Sequence, residues 1–82
     1  MTREEWIAAS WGPELAEVEV AWYDTPSSNT SRRSELVELG ARIQWPPSVS
    51  HGRPFGWREL VIMWLNDAEA SMVARGVPRL VP

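Results

Sequence analysis

Cysteine and lysine are both absent from this chain, and histidine, phenylalanine and tyrosine occur once each. Without cysteine there is neither a disulfide nor a thiolate metal site. His51 alone cannot build a multi-histidine zinc centre. All eight basic residues are arginine, at positions 3, 32, 33, 42, 53, 58, 75 and 79. Arginine offers planar, bidentate donors in place of flexible ammonium groups. An arginine-only composition also fits a GC-rich genome, such as that of an actinobacterium or one of its phages.

Long apolar runs are missing too. Leu60 to Leu65 is uninterrupted, but it is far short of the roughly 20 residues that span a bilayer. The charged start, Met-Thr-Arg-Glu-Glu, leads into no apolar region of signal-peptide type. The expectation is a cytoplasmic protein (host cytoplasm or virion if phage-encoded) with no membrane association. Basic clusters are absent beyond Arg32–Arg33, and the net charge is −3. Non-specific nucleic-acid binding draws on clustered positive charge, so a nucleic-acid partner is disfavoured. A small nucleic-acid-associated regulator using Arg32 and Arg33 is the alternative reading.

The chemistry of catalysis is equally thin. There is no glycine-rich phosphate loop, internal repeat or sustained heptad pattern. His51 lies in a Pro/Gly-rich stretch with no nucleophile or carboxylate arrangement to make it a base. Glu14, Glu17 and Glu19 read as a solvated acidic face rather than an acid–base pair, and Asp67 and Glu69 as polar helix surface. We expect no enzyme, catalytic residue, cofactor, metal or small-molecule substrate.

What is present is tryptophan, at positions 6, 11, 22, 45, 57 and 64, in a chain of 82 residues. Such a chain is one domain, near the lower size limit for folding alone. Domains this small usually need staples. With metals and disulfides excluded, oligomerisation or a tight aromatic core remains. Some tryptophans would fill the core, and others would serve as interface anchors.

Thr2-Arg3-Glu4-Glu5 has capping-box form and predicts a short helix over about 3–11, stopped by Gly12-Pro13. Ala16, Val18, Val20 and Trp22 are apolar and Glu17 and Glu19 between them acidic, the period of a half-buried strand. A helix competes here, because Leu15, Val18 and Trp22 lie three and four apart and Pro13 suits a first turn. Residues 24–34 are polar and turn-rich and read as a flexible loop, a solvated hairpin connection; its functional reading is that Arg32 and Arg33 contact an acidic partner or a phosphate. From Val37 to Trp45 every odd position is apolar, which predicts a second strand. Residues 46–56 read as an irregular connection. A long helix follows from Trp57 to Arg75, with Gly76 at the left-handed stop position and Pro78 beyond it. The tail from Val77 to Pro82 would lie along the surface or on a partner.

The expected fold is therefore α+β: an αββα domain with a two-stranded antiparallel hairpin on a long C-terminal helix. An all-α domain of three to four helices is the alternative. The long helix carries two stripes. Trp57, Leu60, Val61, Trp64, Ala68 and Met72 would cover the hairpin. Ile62, Leu65 and Val73 would be left for a partner, with Met63 and Trp64 beside them. The resulting expectation is a small, non-enzymatic interaction or assembly protein that self-associates or binds a protein partner through this helix.

Overall fold

The computed structural model describes residues 1–48 and 51–80. Val49 and Ser50, within the expected connection, and Val81 and Pro82, at the end of the tail, lie outside them. Among the described residues the fold is four helices: α1 (Arg3–Ala8), α2 (Pro13–Asp24), α3 (Thr30–Gln44) and α4 (Trp57–Ala74). No strand occurs among the described residues. The expected hairpin is thus corrected to the all-helical alternative. None of the helices is long and apolar enough to cross a membrane.

The starts and stops follow local chemistry. At α1, Thr2 Oγ1 accepts from the Glu5 amide and Glu5 Oε1 accepts from the Thr2 amide, both at 3.0 Å. This is the expected capping box. Pro13 opens α2, where its missing N–H costs nothing. At the end of α4, Gly76 takes φ +69°. The Val77 amide reaches Met72 O at 3.0 Å and the Gly76 amide reaches Val73 O at 3.1 Å. That pair of bonds is a Schellman stop, and it buries Val77 beside Met72.

α2 is the centre of the molecule and packs against α1, α3 and α4. Residues two apart on a helix point about 200° apart. Val18 and Trp22 accordingly enter one core cluster with Leu36, Val37, Ala41, Val61 and Leu65. Val20 and Tyr23 enter another with Ala68, Met72 and Val77. A helix buried on two opposite sides mimics the period of a strand, which is why the alternation at 16–22 misleads.

In α3 the true buried set is Leu36, Val37, Gly40 and Ala41, spaced as a helical face. Leu39, an odd-numbered member of the expected strand, is exposed. Gly40 is the position the alternation hid. A Cβ there would lie 3.2 Å from the Trp64 ring and 3.3 Å from Val61, so its lack of a side chain lets α3 approach α4 closely.

The expected loop at 24–34 is also corrected. Asp24 ends α2, and α3 begins at Thr30. Asn29 caps α3 by accepting from the Arg32 amide at 3.2 Å, leaving only a short turn between the helices.

Candidate docking groove

The stripe assigned to a partner is not one surface. Leu65 is 0% exposed and sits in the first core cluster, so its place at an interface is withdrawn. Ile62 and Trp64 are half-buried and pack against that cluster. Met63 at 57% and Val73 at 56% do stand in solvent. On α4 the buried row is Val61, Leu65, Ala68 and Met72.

Arg32 and Arg33 lie on the first turn of α3, not in a loop. Arg32 is exposed and pairs with Glu35 at 3.3 Å. Arg33 turns inward. Its guanidinium donates to Thr25 O at 2.8 and 3.2 Å, lies 4.2 Å from the centroid of the Trp22 ring, and reaches Glu69 at 3.5 Å. Glu69 also takes Arg79 at 3.1 Å, which makes it a hub rather than plain helix surface. Charge-assisted bonds to a carbonyl and cation–π contact together make Arg33 a staple between α2 and α3. Arg33→Ala should therefore cost about 2 kcal/mol, whereas Arg32→Ala should stay within about 0.5 kcal/mol. Urea unfolding of the two variants checks this; equal effects would contradict it.

Arg3 pairs with Asp24, and Arg53 with Glu38 at 2.6 Å. The Arg53–Glu38 contact holds the half-exposed Glu38 carboxyl below its usual range. Arg58 donates to Ser34 Oγ at 2.9 Å. The arginines that a nucleic-acid surface would need are thus tied to neighbours within the fold. His51 is exposed. Among the described residues no group of three or more metal-ligating side chains converges.

The tryptophans divide by environment. Trp22 is core. Trp6, Trp45, Trp57 and Trp64 are half-buried, and Trp11 is fully exposed in the turn between α1 and α2. Two adjoining clefts share Leu15 and Trp64 as a common wall. One, of about 260 Å³, is lined by Trp6, Trp11, Leu15, Glu19, Trp64 and Arg75 among others. The other, of about 400 Å³, is lined by Leu15, Gln44, Trp45, Leu60, Val61 and Trp64. Together they make an apolar groove with four indoles along it and one carboxylate set in its wall.

That carboxylate is Glu19. The strand reading placed it on a wet face beside Glu17; on α2 Glu17 is exposed and Glu19 is buried. Glu19 is 9% exposed, and its Oε1 accepts from Trp6 Nε1 at 3.1 Å. Burial pushes the carboxyl above its usual range, against the hold that Trp6 and, more loosely, the Trp64 indole exert on the charged form. The clue available in the sequence was the helical spacing of Leu15, Glu19 and Trp22 from Pro13 onward, which puts Glu19 among apolar neighbours.

No family model, no curated relative and no solved structure matches this chain.

Proposed function

We propose that this chain is a small, non-enzymatic protein–protein interaction or assembly module, and that the Trp-lined groove is where it meets its partner. The observation that carries this is Trp11. An indole left wholly in solvent gives up a large favourable burial, and here it stands at the lip of an apolar groove rather than alone on a polar surface. Leu60, also exposed, lines the other end. Aromatic anchors beside a preformed apolar cleft are what a binding hot spot requires.

Self-association is a second reading, favoured by Phe55. That side chain stands fully exposed in the connection before α4, a knob that a second copy's groove could receive. A knob on one face and a groove on another give a head-to-tail contact, hence a ring or filament.

The test is selection of displayed random peptides on the immobilised chain, with Trp11→Ser and Leu60→Glu as separate counter-targets. Groove docking predicts enriched peptides that both variants retain poorly while keeping their helical circular dichroism. No enrichment, or equal retention by the variants, overturns the reading.

A further inference from the structure

The Glu19 end of the groove is chemically unlike the rest of it. A carboxylate nearly removed from water is costly unless it is paired. Glu19 has an indole donor, but no cationic group lies within 4.0 Å of it among the described residues. Glutamine would still accept the Trp6 hydrogen bond, more weakly, without bringing a charge out of water. The walls around it are the indoles of Trp6, Trp11 and Trp64, and the faces of such rings attract cations. The mouth already holds one: the Arg75 guanidinium lies 5.6 Å from the centroid of the Trp6 ring, exposed and unpaired with Glu19. A chain of net charge −3 suits a basic partner as well.

We propose that the cavity lined by Trp6, Trp11, Trp64 and Glu19 receives the cationic end of a basic side chain on a partner protein, with Glu19 as its counter-ion and the indoles around its methylenes. This rests on the docking reading above and names the partner's chemistry: a lysine or arginine flanked by apolar residues. Those neighbours would lie along the cleft toward Leu15, Trp45 and Leu60. The cavity volume of about 260 Å³ suits one side chain rather than a whole helix. Among the described residues Arg75 is the one cation lining the cavity, and it would give way to the incoming group.

The probes are n-butylammonium and ethylguanidinium chloride, added to the folded chain while the indole N–H signals of Trp6, Trp11 and Trp64 are followed by NMR. The signals should shift saturably with at least one of the two, and not with sodium chloride or 1-butanol at equal concentration. Glu19→Gln should weaken that binding at least tenfold and yet melt higher at neutral pH. Because burial raises the folded carboxyl's pKa, the native state holds its proton more tightly than the unfolded chain. Ionisation above that range therefore costs stability, and glutamine removes the cost. The advantage should close as pH falls below the unfolded carboxylate range, where both side chains are neutral. Weaker binding joined to a higher melt marks a ligand group; a purely structural residue would lose stability. Arg75→Ala should melt as the wild type does and bind the probe more tightly.

A capped Leu-Lys-Leu or Leu-Arg-Leu peptide should bind at least tenfold more tightly than the matching bare cation; equal affinity would reassign the site to free amines and overturn the partner assignment. Absence of saturable shifts, unchanged binding in Glu19→Gln, or a large loss of stability in Arg75→Ala would each overturn the proposal, the last by making Arg75 the carboxylate's own counter-ion. If selected peptides depend on Trp11 but carry no basic residue, the groove stands and this inference falls. If the cations bind and no peptide is selected, the docking reading falls and the assignment to a partner's side chain falls with it, leaving a site for small cations only.

Discussion

Leu65→Ala is expected to cost about 3–5 kcal/mol, the upper part of the range for a buried leucine. Leu65 is wholly buried where α4 meets α2 and α3, among Val18, Leu36, Val37 and Val61. It is among the largest side chains that are fully buried, so little around it can collapse into the space left behind. A domain of this length has about 4–12 kcal/mol in total. The substitution should therefore remove at least about a quarter of that stability, and urea unfolding followed by circular dichroism should show the midpoint lowered by at least about 1 M. Met63→Ala and Val73→Ala, both on exposed side chains, should shift the midpoint by no more than about 0.5 kcal/mol. A Leu65→Ala protein that melts like the wild type would return Leu65 to the surface and contradict the core assignment.

Gly40→Leu should cost about 3 kcal/mol, at the high end for an overpacked core. Glycine in the middle of a helix is worth about 1 kcal/mol less than alanine, so its presence in α3 asks for a packing reason. That reason is the close approach of Trp64 at 3.2 Å and Val61 at 3.3 Å to the space a Cβ would fill, with Val18 at 3.7 Å. Alanine gains helix propensity and loses packing, and the two should nearly cancel. Leucine has no room unless α3 and α4 separate. Because Trp64 is also the shared wall of the groove, Gly40→Leu should perturb the Trp64 indole signal and lower the melting temperature together. Tolerance of leucine would mean that the two helices are not so close.

These two positions also show what could be read from the residues alone. The capping box at Thr2–Glu5 and the glycine stop at Gly76 were legible, because both rest on bonds between neighbours in the chain. The long helix at 57–75 was legible for the same reason. The middle of the chain was not, because periodicity assumes one buried face. α2 has two, so Val18 and Val20 point to opposite clusters and together counterfeit a strand. In α3 the core position is a glycine, which carries no hydrophobic signal, and the exposed Leu39 supplied a false one. The polar stretch from Asp24 to Ser34 concealed an N-cap at Asn29, a residue type that favours such positions. For the site, tryptophan abundance pointed to anchors, but which tryptophans line a groove depends on helix packing. Arg33 looked like a partner contact and is a staple, whereas Glu19 looked like solvent-facing charge and lies buried in the groove wall.

On the docking reading, the groove beside Trp11 is covered by another protein in the cell. A photoreactive phenylalanine analogue placed at position 11 in the native producing cells tests this most directly, with the same analogue at the exposed Ala70 as reference. Groove docking predicts one discrete adduct from position 11 and none of that mass from position 70. An adduct of twice 9.3 kDa would identify a second copy as the occupant, and any other discrete mass a different protein. No adduct at position 11, or the same adducts from both positions, would contradict it.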